Sequence, residues 1–592
     1  MAESSNTPLV KFLKWRAKHI PQRRFVLILS IFIGFLSGLV SVALKNTTHF
    51  IQHLVQSGRF TEFYNPYYFV FPVIGILITV IIRKLIKHKL GEGVPSTLFA
   101  ISRKNGFMRS YRMYGSFITS IFTVGFGGSV GLEGPAVSTG SALGANMGKW
   151  FHLNFKSRVL MISCSTAGAI ASIFNAPIAA IIFTIEIFGL DLTFSSLIPL
   201  LLASASGAVT SLFLQGNDFL FHYKYIAPFQ VADVPFYLLL GVLTAFTSVY
   251  FHKVYFSVEK QFERFRSQTA RILVGGLLLG SLIFVIPPLY GEGYETINHL
   301  LNGNVEAIIE TSLLYEYLET NWMILGLLLG LVLFKVFATS FTLGAGGVGG
   351  VFAPSLFVGA SLGYVFSSFV NKLNFVNIPT SNFALVGMAG LMAGVLHAPL
   401  TAVFMIAEIT GGYDLFVPLM LVSAISFMVT RSITPNSIYT EQLAKKGDEV
   451  LSHNKDHAIL TLLNMEKIVE TNFNPVHPEM PLGELVKVVS TSRRNLFPVL
   501  DEDSKLVGVL TLDDFRHLMF DQNLYETTTV AQLMSPPPAI VEKNQSMKVV
   551  MAKFQDTGAW NLPVVENERY VGFISKSKLF SVYRRKLIEF SE

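Results

Sequence analysis

Residues 128–144 read GSVGLEGPAVSTGSALG, and residues 347–363 read GVGGVFAPSLFVGASLG. The two strings align without a gap, setting Gly131 on Gly350, Pro135 on Pro354, Gly140 on Gly359 and Gly144 on Gly363, an offset of 219 residues. A second match follows: NAPIAAIIFTIEI from Asn175 aligns with HAPLTAVFMIAEI from His397 and sets Glu186 on Glu408, at an offset of 222. Two matches at nearly one offset define a duplicated unit. The copies run over 25–213 and 236–432, joined by 214–235. Repeats of this kind in membrane transporters place the binding site near the midplane, where the halves meet.

The composition agrees with a membrane setting. Of the 592 residues, 51% are hydrophobic and 14% charged, and the mean hydropathy is +0.50, outside the usual range for a soluble globular chain. Val26 to Leu44 is 19 residues without a charge, enough to cross roughly 30 Å of hydrocarbon as a helix. Its flanks are Lys and Arg, not a small-residue cleavage site, so it reads as a retained span. Ahead of it, residues 1–24 hold Lys11, Lys14, Arg16, Lys18, Arg23 and Arg24, and positive-inside bias places that segment in the cytoplasm. The net charge of +7 is assigned to basic residues facing anionic lipid, with no nucleic-acid partner expected. The single cysteine, Cys164, excludes an internal disulfide and any cysteine-based metal cluster. No zinc motif, P-loop or nucleophile elbow occurs, so neither a metal site nor an enzyme is expected.

The motifs carry an anion chemistry. Glycine lets backbone approach a ligand closely, and proline suits a first helical turn, where its missing N–H costs nothing. Exposed N–H groups and the helix dipole then attract an anion. Three such starts are present: GEGVP at 91–95 (Gly91, Glu92, Gly93, Val94, Pro95), GLEGP at 131–135 (Gly131, Glu133, Gly134, Pro135) and GVFAP at 350–354 (Gly350, Val351, Phe352, Pro354). Helix starts converging on one point would hold a small anion without a full positive charge, so that it can also leave. Each motif taken singly also fits an ordinary Gly/Pro kink in a membrane helix.

After Arg431 the texture changes to frequent charges and short strand-like runs. NLFPVLDEDSKLVGVLTLDDF at 495–515 corresponds to WNLPVVENERYVGFISKSKLF at 560–580, each a strand, a turn, a strand and the start of a helix. Two small α/β modules are expected, at 463–524 and 525–592, after a linker at 433–462.

GLEGPAV, KVFATSFTLGAGGVGGVFAPSL at 335–356, HAPLTAVFMIAEITGGYDLFVPLM and SIYTEQL resemble the CLC family of chloride channels and chloride/proton antiporters, and the tail resembles a pair of CBS domains. The resemblance covers nearly the whole chain. It implies an all-α polytopic membrane domain, an inverted repeat with re-entrant half-helices, plus a cytoplasmic α/β tandem CBS domain. It also implies a homodimer with two independent pores in the plasma (cytoplasmic) membrane, chloride as substrate, protons as second substrate in antiporters, and no cofactor apart from an adenine nucleotide in the CBS pair. By the same resemblance Glu133 is the gating glutamate, Val351 and Phe352 offer backbone amides to the anion, and Tyr439 points its hydroxyl at the central anion. Thr511 and Asp514 match the ribose-binding pattern of CBS domains, whereas the second module has Ser575 followed by Lys578 in place of the acid.

Three departures from the family pattern bear on mechanism. Glu92 stands where a serine hydroxyl usually meets the central anion; an ionised carboxylate there would repel it, so Glu92 is expected to be protonated or turned away. Ile187 follows Glu186 where antiporters often carry an internal proton glutamate. That favours a Glu133-gated channel; the alternative is an H+/Cl− antiporter with Glu92, or Glu186, on the proton path. Leu132 replaces a basic residue beside the gate. Glu186, Glu408 and Lys335 are expected to pair or to cap helix ends, and His397 to start a helix beside Pro399. Rival readings are a non-conducting nucleotide sensor and a CBS-bearing divalent-cation transporter, which should show oxygen cages for its metal.

Overall fold

The computed structural model describes residues 8–56, 67–86, 93–190, 193–216, 221, 227–310, 312, 315, 320–374, 376–445, 463 and 465–591. The chain divides into two compact units, 1–450 and 451–592.

The first unit is helical. Eight helices among the described residues are long and apolar enough to cross a membrane, and the chain is a multi-pass integral membrane protein. Val26 to Leu44 lies inside the helix Gln22–Gln56, whose 35 residues make about 50 Å at 1.5 Å per residue. That exceeds the hydrocarbon thickness, so such a helix tilts or projects beyond it. Large apolar side chains such as Phe50, Phe194 and Phe213 stand on its outer surface, as lipid demands.

The duplication is visible helix by helix. Glu133–Trp150 packs on Phe155–Phe174, and Phe352–Lys372 packs on Thr380–Leu396. The aligned glycines make this closeness possible: a Cβ on Gly144 would strike the Met161 carbonyl, and one on Gly363 the Phe383 carbonyl. Phe155–Phe174 ends at Asn175 and Thr380–Leu396 ends at His397, both in left-handed backbone (φ 53° and 56°). Short helices then begin at Pro177 and Pro399. His397 therefore closes one helix, two residues before the next begins. Cys164 is fully buried within the helix Phe155–Phe174.

The second unit holds two α/β modules. In the first, β1 (Leu496–Leu500) pairs antiparallel with β2 (Leu506–Thr511), and Val476 lies parallel to Val499. In the second, β3 (Val541–Glu542) runs parallel to β4 (Asn561–Glu566), which pairs antiparallel with β5 (Arg569–Ser575). The modules exchange segments. Leu463, Met465 and Ile468 sit in the second module's core, beside the Glu470–Phe573 backbone bridge, and Val530 sits in the first. Apolar residues in a linker follow the nearest open sheet edge, which spacing along the chain does not reveal.

Candidate functional site: a cavity where three helix starts meet

The site is built on two glycines that the repeat equates. Gly131 N–H donates to the Gly350 carbonyl at 2.9 Å, and Gly350 N–H returns a bond to Gly131 at 2.7 Å. This two-way contact joins the starts of Glu133–Trp150 and Phe352–Lys372. Neither helix is capped by the side chain of its own N-cap residue, so its first N–H groups are open to other acceptors at the junction. The third start, Gly93–Arg103, arrives beside them: a Cβ on Gly93 would lie 3.3 Å from Gly134 Cα, and one on Gly134 would lie 3.0 Å from Gly350 Cα. Pro135 and Pro354 each stand in the first turn of their helix, where the ring replaces an N–H that needs no partner, and Pro95 stands at the same place in the third.

A cavity opens at this junction. Its wall includes Gly93, Val94, Gly134, Val351, Tyr439 and Gln442. Tyr439 is buried in the first turn of Ile438–Ala444, which Ser437 caps through Thr440 N–H. Ser116 lines it too, with its hydroxyl bonded to Ser138, and Arg83 donates to the Gly346 carbonyl at the wall. Phe352 starts its helix beside Val351 and packs its ring, tilted by 36°, against Phe174 at 4.9 Å between centroids. Gly91 and Glu92 lie outside the described residues.

Glu133 is buried and is not part of that wall. Its carboxylate sits at the glycine junction, where a Cβ on Gly350 would lie 3.4 Å from Oε2. Tyr294 donates its hydroxyl to Glu133 Oε1; Oε2 sits over Gly131, and the carboxylate lies near the backbone N–H of Ala353. A carboxylate among helix starts occupies a place suited to an anion. The neighbouring loop adds groups that composition did not single out. Glu292 Oε1 accepts from Leu132 N–H at 3.1 Å, and Lys335 Nζ donates to the carbonyls of Leu289 (3.3 Å) and Gly291 (2.9 Å) while lying over the Phe357 ring. The signal was present in GEGYE at 291–295, which repeats the Gly-acid-Gly spelling of GEGVP.

The family model described as voltage gated chloride channel matches residues 74–431. The chain belongs to that family. Two CBS-domain matches follow, at 465–521 and 530–585. Relatives of this chloride channel family member include a ClcB-like protein of Ralstonia nicotianae, 29% identical over 387 residues that cover 64% of this chain and 85% of the relative. The H(+)/Cl(-) exchange transporter ClcA of Vibrio cholerae is 26% identical over 439 residues, 71% of this chain and 89% of the relative. Among solved structures, a slow cyanobacterial Cl-/H+ antiporter superposes with a TM-score of 0.62 at 21% identity, covering 72% of this chain and 98% of its own. A eukaryotic CLC transporter gives 0.60 at 18%, covering 93% and 97%. These superpositions establish the membrane fold, with its tandem CBS tail, that the motifs led us to expect.

Glu186, expected either to cap a helix end or to lie on the proton path, accepts from Leu400 N–H (3.0 Å), Thr401 N–H (2.7 Å) and the Thr401 hydroxyl (2.5 Å). These three donors make it an acceptor for the first turn of the helix Pro399–Ile409, the place of a cap.

In the CBS unit, Asp514 Oδ2 accepts from both the backbone N–H and the hydroxyl of Thr511, at 2.7 Å each. Its other oxygen is left at the surface, for Asp514 is exposed. In the second module Ser575 Oγ accepts from Lys578 N–H at 3.1 Å, so the same turn forms without an acid.

Proposed function

We propose that this chain exchanges chloride for protons across a membrane, with Glu133 as the group that both ions contend for. The observation that carries the reading is the seat of Glu133: a buried carboxylate at the junction of helix starts, bonded to Tyr294, next to Gly134 of the cavity wall. Ionised, it mimics a halide in the field of the helix starts. Protonated, it loses that attraction and leaves the place to chloride, so occupancy by proton and by anion are linked. In the cavity, chloride would take the amides at the start of Phe352–Lys372 and the Tyr439 hydroxyl.

The sequence leaned to a passive channel because Ile187 carries no proton. Relatives named exchangers favour the other alternative, in which Glu92, one residue before Gly93 in the sequence, stands in for the missing internal proton carrier. We also assign the chain a homodimeric state, a cytoplasmic CBS unit in the plasma membrane, and adenine-nucleotide binding at the Thr511–Asp514 turn.

The test is purified protein in liposomes under opposed chloride and pH gradients. Exchange makes the reversal potential move with the pH gradient, and Glu133→Gln abolishes that movement while anion flux continues. Glu92→Gln slows proton movement more than chloride movement. A reversal potential set by chloride alone overturns exchange.

A further inference from the structure

The geometry points to Glu292 as a second proton-binding carboxylate that works with Glu133 and sets the proton concentration at which the gate leaves its seat. This rests on Glu133 being the gate.

Glu292 is held in place from three directions. Its Oε1 accepts from Leu132 N–H, the residue immediately before Glu133. The flanking glycines take left-handed backbone, φ 60° at Gly291 and 90° at Gly293, which side-chain-bearing residues rarely adopt. A Cβ on Gly293 would also run into the Phe357 ring. Lys335 then fixes the loop through the Leu289 and Gly291 carbonyls. Two residues beyond Glu292, Tyr294 donates to Glu133 Oε1. One short loop thus brings both an acid and the hydroxyl donor to the gate.

The charged groups around this acid define its effect. Glu133 is the neighbouring carboxylate, from its own helix start; Lys335 faces the pair from Asn321–Gly344, and Lys45 from Gln22–Gln56. Tyr294 is the hydroxyl between, and Glu295, next to it, is exposed. The Lys335 ammonium is directed at two carbonyls. Two neighbouring carboxylates interact, so one proton on the pair makes the second harder to add. An ionised Glu292 therefore helps Glu133 to take a proton.

The test is the pH dependence of anion flux in liposomes. Glu292→Gln removes the neighbouring negative charge, so Glu133 gives way only at higher proton concentration. The half-maximal pH is expected to fall by about one unit, a tenfold change in proton concentration. Glu292→Asp, which keeps the charge, returns the profile toward the native one. A Gln profile that coincides with the native one overturns the proposal, as does an Asp profile displaced as far as Gln. Should the Gln variant not fold, infrared difference spectra between acid and neutral pH decide the matter on Glu133→Gln. A buried carboxylic-acid band that persists supports Glu292 as a second proton site, and its absence overturns it. Native protein whose flux ignores pH would instead overturn the reading of Glu133 as the gate.

Discussion

Glu186 and Glu408 cap each other's helices. Glu408, at the end of Pro399–Ile409, accepts from Ile178 N–H (3.0 Å) and Ala179 N–H (2.7 Å) at the start of Pro177–Phe188. Glu186, near the end of Pro177–Phe188, does the same for Leu400 and Thr401. Each helix lends its final acid to the other's first turn, where an anion is favoured by both the N–H groups and the dipole. Glu408→Ala leaves two amides without their acceptor and is expected to cost about 2 kcal/mol, read as a lower unfolding temperature in detergent. Glu186→Gln should lower it less and leave the proton-to-chloride ratio at the native value. A changed ratio would return Glu186 to the proton path.

Tyr294→Phe deletes the hydroxyl bonded to Glu133 Oε1. A donor to a carboxylate favours its charged form, with hydrogen bonds to charged groups worth about 1.5–3 kcal/mol. Without it Glu133 takes a proton more readily, so the half-maximal pH of anion flux rises by about one unit. This is opposite in sign to Glu292→Gln, and flux titrations of the two variants side by side check both directions.

Gly131→Ala places a Cβ on Glu133 Oε2, with the Ala353 methyl 2.9 Å away. The end of a flexible side chain yields more easily than a helix start, so the carboxylate is expected to be driven from its seat. Flux at neutral pH then increases several-fold, on the scale of the roughly 1 kcal/mol that an altered contact commonly represents. Efflux assays at pH 7.5 measure it, and a native rate would mean that Glu133 has room to stay.

Nucleotide binding by the CBS unit is checked by titrating the full chain with ATP. Asp514→Ala removes a carboxylate at the Thr511 turn and is expected to weaken binding about tenfold, the value of one hydrogen bond to a charged group. Lys578→Ala, at the corresponding place in the second module, changes the affinity little. Equal affinity in native protein and Asp514→Ala would remove the turn from the nucleotide site.

Much of this architecture was legible in the sequence because duplication leaves a signal that needs no contact information. The alignment equated Gly131 with Gly350 and Glu186 with Glu408, and both pairs meet or answer one another across the repeat. What it did not reveal is which element each residue faces. A glutamate near a helix end reads equally as a proton carrier or a cap until its partner helix is in view, and Glu186 is the instance. Glu292 and Tyr294 went unseen for another reason: GEGYE resembles GEGVP but does not stand at the repeat offset from it, so the search that exposed the other motifs passed over it. Leu463 and Val530 show the same limit in the tail, where short apolar segments cross between modules.

At the place where the first copy carries Glu133, the second carries Phe352, both as first residues of their helices. A pathway made from two matching, oppositely facing halves would present the same chemistry to both faces of the membrane. The difference between these two side chains gives the pathway a front and a back. The repeated scaffold carries no such polarity by itself, and this position is one of those at which the two copies differ.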